Sequence, residues 1–251
     1  MRPVICTTIL LVICIIACGC TGKTPAVLAP VTPTEEPVLV NLSDSHPDAT
    51  ISRDPGVLLV SFRTDGAQQM ELDFSNLSQG YEAGTRISTT GPFAGSVAFQ
   101  VPIKDTYRLN ISSNGRWTAE AAPLVTTNPL TVPVNLSGSG TSVTPVLSLE
   151  KGDYIFSRNE TGLASPYYFL YYVNGTPLMD VNNSYIQPGF GALSADPFVI
   201  VTVHESGTFY LSALGRYNPG NWSVSISAVP QLPPMGPGPE ISPGQKSSVT
   251  L

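Results

Sequence analysis

The sequence predicts an all-β protein: two tandem antiparallel β-sandwich domains, Ig-like or jelly-roll-like, that arose by internal duplication. Three observations carry that prediction. Short segments alternate apolar and polar residues, the period of a strand with one buried face. The clearest run is Val201-Thr-Val203, Phe209-Tyr-Leu211-Ser-Ala213 and Trp222-Ser-Val224-Ser-Ile226. An earlier copy runs Phe99-Gln-Val101, Tyr107-Arg-Leu109-Asn-Ile111 and Trp117-Thr-Ala119-Glu-Ala121, so the pattern occurs twice in the same order. Finally, the 251 residues include 24 Pro and 22 Gly with only 12% charged, a composition of short strands and many turns.

Taken from its start, the chain carries Arg2 and then an apolar run from Val4 to Ala17. That run is short for a membrane span of ~20 residues and has the length of a secretory signal core. All four cysteines lie here, at Cys6, Cys14, Cys18 and Cys20, which leaves the remainder without a thiol or disulfide. The segment Gly19-Cys20-Thr21-Gly22 resembles the start of many archaeal surface lipoproteins, in which the cysteine is lipidated and becomes the new amino terminus. Residues 1–19 are then a lipoprotein-type signal peptide and Cys20 the lipidation site; Ile15-Ile16-Ala17-Cys18 fits the aliphatic-aliphatic-small pattern and keeps Cys18 as the alternative. An uncleaved anchor helix would equally leave the rest of the chain outside the membrane. The expected location is the extracellular face of the cell membrane.

Residues 20–37 are rich in Pro and Thr, a composition that favours an extended, semi-rigid stalk. The first domain is expected over residues 38–122 and the second over 131–228, with 123–130 as linker. Each opens on the same tetrapeptide, Val40-Asn-Leu-Ser43 and Val134-Asn-Leu-Ser137, followed by a glycine before an apolar strand, Gly56 and Gly152. Each closes on its tryptophan strand, read here as half of a closing hairpin with the tryptophan in the core. Residues 229–251 are a Pro/Gly-rich tail whose composition disfavours a strand ladder and predicts disorder.

Inside the first domain Met70, Leu72 and Phe74 alternate with Gln69, Glu71 and Asp73, which predicts one wet face. The corresponding Tyr167-Tyr-Phe-Leu-Tyr-Tyr-Val173 is apolar on both faces and is the largest departure between the copies. Tyr168, Leu170 and Tyr172 are therefore candidates for a ligand-binding platform, unless the first domain covers the strand and makes it an interdomain contact.

Through Val134-Asn-Leu-Ser-Gly-Ser-Gly, Leu147-Ser-Leu-Glu-Lys-Gly-Asp-Tyr-Ile-Phe156, Ser206-Gly-Thr-Phe-Tyr-Leu and Asn221-Trp-Ser-Val, the second domain resembles a β-sandwich module. Such modules are found in tandem in secreted and cell-surface proteins of archaea and bacteria. It is also similar to the broader pre-peptidase C-terminal and CUB-like sandwiches. The first domain shares this less extensively, through Gly91-Pro-Phe-Ala-Gly95 and Thr106-Tyr-Arg-Leu. The resemblance implies accessory, non-catalytic surface domains and carries over no catalytic residue.

Chemistry is sparse. The two histidines, His46 and His204, fall in different domains, and no Gly-x-Ser-x-Gly elbow, His-Glu-x-x-His or phosphate loop occurs. Asp180-Val-Asn182-Asn183 offers oxygen ligands but lacks the bidentate acid of a calcium loop, so no metal and no cofactor is expected. At a net charge of −6 and without a basic patch, nucleic acid is not an expected partner. The positive signal is the set of Asn-x-Ser/Thr sequons at Asn41, Asn76, Asn110, Asn135, Asn159, Asn174, Asn182 and Asn221, eight of twelve asparagines. Asn110 and Asn221 are out of phase with their apolar neighbours and should face solvent, where a glycan fits. The sequence therefore points to a non-enzymatic, lipid-anchored surface glycoprotein for envelope, protein or glycan contact. The alternative is a carbohydrate- or solute-binding lipoprotein using the aromatic strand.

Overall fold

The computed structural model describes residues 39–161, 166–179, 198–215, 218 and 220–230. The described elements are strands: β1 (Val40–Ser43), β2 (Asp48–Arg53), β3 (Gly56–Thr64), β4 (Ala67–Asn76), β5 (Glu82–Thr90), β6 (Phe93–Val101), β7 (Asp105–Ser113) and β8 (Trp117–Pro123), then β9 (Leu130–Thr131), β10 (Val134–Ser139), β11 (Ser142–Val143), β12 (Leu147–Leu149), β13 (Gly152–Thr161), β14 (Tyr167–Tyr172), β15 (Phe198–Val203), β16 (Gly207–Leu214) and β17 (Asn221–Ala228). Among the described residues no helix is long and apolar enough to cross a membrane.

The first sandwich packs sheet A, in the order β1-β8-β3-β6, on sheet B, in the order β2-β7-β4-β5. Alternation puts Leu58, Val60 and Phe62 of β3 against Met70, Leu72 and Phe74 of β4. The second sandwich repeats the plan. Sheet D runs β10-β17-β13-β15, and in sheet C β16 pairs β14 on one side with β11 and β12 on the other. Among the described strands the pairings are antiparallel apart from β9, which lies parallel to β12; an isolated bridge between Thr89 and Asn218 is also parallel.

The register follows the sequence repeat residue by residue. Leu42 pairs with Ala119 as Leu136 pairs with Val224, and Thr64 pairs with Trp117 as Glu160 pairs with Trp222. Gly56 and Gly152 pair with Val101 and Val203 and adopt φ of 149° and 156°, a region that side chains with a Cβ avoid. That backbone requirement explains why each copy places a glycine before its apolar strand.

One expectation is corrected. The final strands of each copy do not form a closing hairpin, because β16 lies in sheet C while β15 and β17 both pair with β13 in sheet D. In the first copy β6, β7 and β8 likewise alternate between sheets A and B. Alternating residues report that a strand has one buried face; they carry no information about which strand is its hydrogen-bonded neighbour.

The two sandwiches belong to one compact unit, Glu36–Leu251. A third apolar cluster joins them. Val57 and Ala98 from the outer face of sheet A, with Leu124, pack against Val143, Val146, Tyr171, Val173 and Tyr210 of the second sandwich. Hydrogen bonds continue the joint: the Ser96 N–H donates to the Thr141 carbonyl at 3.2 Å, and the Val143 N–H donates to Ser96 Oγ at 2.9 Å.

Candidate functional site

The aromatic strand resolves into two faces. Tyr168 and Leu170 point into the second core, where Tyr168 is 1% exposed and meets Trp222 edge-on at 5.6 Å. Tyr172 is half-buried, its ring 4.5 Å from that of Phe209. Burial raises its hydroxyl pKa, with the Glu205 carboxylate adding to the rise. These three residues are core and core margin, not the ligand platform expected of them. The opposite face, Tyr167, Phe169 and Tyr171, replaces Glu71, Asp73 and Ser75, which occupy the same register in β4. Tyr171 lies in the joint and stacks on Tyr210, so the first sandwich covers this end of the strand. A strand apolar on both sides here has a core on one side and a neighbouring sandwich on the other.

A residue that the pattern did not single out fastens the same joint. Asn218 is fully buried, 0% exposed. Its Oδ1 accepts from the Thr141 N–H at 2.7 Å, and its Nδ2 donates to the carbonyls of Ser88 at 3.1 Å and Gly215 at 3.3 Å. Its backbone bridges to β5, accepting from the Thr90 N–H at 2.7 Å and donating to the Ser88 carbonyl at 3.2 Å. Gly140, at φ 50°, admits this amide, since a Cβ there would lie 1.8 Å from Asn218 Oδ1. The sequence signal was an Asn-Pro pair in a polar loop, which reads as an ordinary turn.

With the tyrosine strand closed, a concave surface on the first sandwich is the candidate. The part of the sheet A outer face that the second sandwich leaves uncovered holds a groove of about 720 Å³. Two cross-strand rows floor it: Asn41, Glu120 and Ser61, and Ser43, Thr118, Arg63 and Ala94. Each row crosses neighbouring strands, so its polar groups recur at the strand spacing of ~4.8 Å. Ala94 and Gly95 line the β6 side of the groove. Arg63 and Glu120 are exposed and form no ion pair with a described residue. His46 borders the groove, its Nδ1 3.1 Å from Ser45 Oγ, which in turn lies 2.9 Å from Ser43 Oγ. The contact joins neighbouring residues of the turn between β1 and β2. His204 is exposed at the end of β15. Among the described residues there is no cluster of three metal-binding side chains.

Asn41, Asn135, Asn159, Asn174 and Asn221 are exposed, and Asn110 is half-buried. Asn76 departs from expectation: it is 5% exposed and its amide is engaged on both sides. Nδ2 donates to Asp105 Oδ2 at 2.9 Å, while Oδ1 accepts from the N–H groups of Ser78 at 2.8 Å and Gln79 at 2.6 Å. The reason is position, since Asn76 ends β4 in phase with buried Leu72 and Phe74 and caps the turn that follows. Trp117 and Trp222 are both buried, and the Trp222 Nε1–H donates to the Gly140 carbonyl at 2.9 Å. Cys18, Cys20, Asp180, Asn182 and Asn183 lie outside the described residues.

No family model and no curated protein matches the chain. Among solved structures, the chain is similar to tripeptidyl peptidase 2 at 10% identity and a TM-score of 0.24, covering 75% of this chain and 22% of that one. It is also similar to the N-terminal CBM22-1–CBM22-2 tandem domain of Paenibacillus barcinonensis Xyn10C, at 8% identity and a TM-score of 0.23, covering 72% of this chain and 82% of that one. At these scores the likenesses bear on neither mechanism nor ligand.

Proposed function

We propose that the chain is a non-enzymatic surface protein, anchored through a lipid on Cys20, that holds a two-sandwich body away from the membrane for contact with polar components of the cell envelope. The observation that carries this reading is the division of the sheet A outer face. One part is used to fix the second sandwich, and the remainder is an open groove of about 720 Å³ lined by hydroxyl, amide, guanidinium and carboxylate groups. Such a surface offers donors and acceptors in two rows, which supports hydrogen-bonded recognition of glycan or polypeptide.

Two measurements test it. The Cys20→Ser chain should be released from the membrane fraction, and the native mature amino terminus should carry the mass of a lipidated cysteine; an intact Met1 would remove the anchor. Retention of the purified chain on envelope preparations from the source cells should fall in the Arg63→Ala/Glu120→Ala variant at unchanged melting temperature. Equal retention of native and variant chains would overturn the groove as the contact site.

A further inference from the structure

The joint between the sandwiches has a counterpart that the second sandwich leaves bare. Matching Gly56 to Gly152 and Val101 to Val203 places Phe198 where β6 has Ser96 and Ile200 where it has Ala98. In the first copy these are joint residues: Ser96 bonds to Thr141 and Val143, and Ala98 packs in the joint cluster. In the second copy Phe198 and Ile200 are 53% and 56% exposed, and Ile155 lies directly across from Ile200.

The other described edges of comparable length are charged, covered, or polar on their outward face. β5 carries Glu82 and Arg86, and β2 carries Asp48 and Arg53. β6 is covered by residues 141–143, and β14 continues into Thr176–Leu178, whose backbone bonds to Tyr172 and Leu170. β10 turns only Asn and Ser side chains outward. β15, Phe-Val-Ile-Val-Thr-Val, has no charge, proline or bulge, and among the described residues it pairs with β13 alone. Such a strand presents a row of unpaired N–H and C=O groups beside apolar side chains, a template for another strand.

We infer that β15 is a self-association edge, at which a second copy of this chain adds its own β15 antiparallel across a two-fold axis to join the two D sheets. Chemistry selects this occupant over a third sandwich stacked as in the joint. The position of Val57, which lies buried in the joint, is Asp153 in the second copy, where its Oδ1 accepts from Thr202 Oγ1 at 2.6 Å. A stacked sandwich would bury that carboxylate, whereas edge pairing leaves it in water. The outer face of sheet B does not suit a head-to-tail apolar contact either, because it carries Glu71, Arg86, Asp48 and Arg108 in two ion pairs. A two-fold pairing centred on Ile200 is self-complementary, with Ile200 opposite Ile200 and Phe198 opposite Thr202.

The test is sedimentation of the detergent-solubilised full chain, corrected for bound detergent. The native chain should have the mass of a dimer, and Ile200→Lys and Phe198→Lys should each give the monomer at unchanged melting temperature. Leu77→Lys, at an exposed apolar residue elsewhere, should leave the dimer intact. Mild oxidation of Ile200→Cys should give a 200–200 disulfide in the peptide map. A monomeric native chain overturns the proposal, as does a dimer that survives Ile200→Lys. If only the chain lacking residues 231–251 dimerises, the tail and not a second copy occupies the edge, and the proposal falls.

Discussion

Tyr171 and Tyr210 stand directly opposite each other on β14 and β16, with ring centroids 5.3 Å apart and planes within 12° of parallel. The stack faces Val57 across the joint, so an aromatic pair on the outside of one sandwich serves as the inside of a two-sandwich body.

Tyr210→Ala should loosen the joint while leaving both cores formed. Removing a buried aromatic costs about 3–5 kcal/mol where the cavity does not collapse. Both core clusters exclude Tyr210, so the loss falls on the joint alone. Limited proteolysis should then cut within residues 124–133 faster than in the native chain, with far-UV circular dichroism unchanged. Cleavage at the native rate would show that the joint does not depend on the stack.

Alkaline pH should attack the same place. Burial, with Tyr171 and Tyr81 nearby, pushes the Tyr210 hydroxyl far above its ordinary value of 10.0. Because the folded value exceeds the unfolded one, the folded state binds the proton more tightly, and stability falls as pH rises above about 10. Tyr210→Phe should flatten that alkaline limb in urea titrations. An unchanged limb would assign it to Tyr81, Tyr154 and Tyr172, whose hydroxyls burial also raises.

The scaffold was legible because its determinants are local and repeated. The Val-Asn-Leu-Ser tetrapeptides, the paired glycines and the tryptophan strands each recur at matching register positions. What alternation could not convey was the sheet to which each strand belongs, and so the expected hairpin dissolved into strands crossing between sheets. It also could not say what lies beyond a strand's second face, which is why Tyr168 read as a platform when it is core and Tyr171 is joint. Asn218 was invisible for a different reason: its partners, Ser88, Thr90 and Thr141, are remote in sequence and two of them belong to the other copy. The groove was invisible likewise, since its polar floor is spread over β1, β8, β3 and β6.

Asn218 should be costly to replace although it touches no ligand. Asn218→Ala leaves the buried Thr141 N–H without its partner, at a cost of about 1–3 kcal/mol, while the Ser88 carbonyl keeps the Asn218 backbone N–H. Asn218→Asp should be worse, because a carboxylate oxygen would then face the Ser88 and Gly215 carbonyls in place of a donor. Urea midpoints in the order native, Ala, Asp check this. The reverse order of the two variants would mean that the Thr141 contact dominates.

Glycan occupancy should follow side-chain access rather than the sequon rule. Asn135, Asn159 and Asn221 are exposed on the outer face of sheet D and should be modified if the cell glycosylates this chain. Asn76 should stay bare, because the Nδ2 that would carry the sugar is the atom that donates to Asp105. Its neighbour supplies an independent readout. Hydrogen bonds from the Ser78 hydroxyl, the Thr106 N–H and Asn76 lower the Asp105 pKa below its ordinary value of 3.8. This contribution to stability is present above that pH and is lost as pH falls through the folded value. Asn76→Gln should therefore shift the acid unfolding midpoint upward without changing the glycan mass, and a lost glycan would show that Asn76 had been modified. Asn41 is the informative case between these extremes, since it is exposed yet lines the groove. A glycan there would occupy the proposed contact surface, so peptide mapping that finds Asn41 modified would count against the groove, and an unmodified Asn41 beside modified Asn135 and Asn221 would favour it.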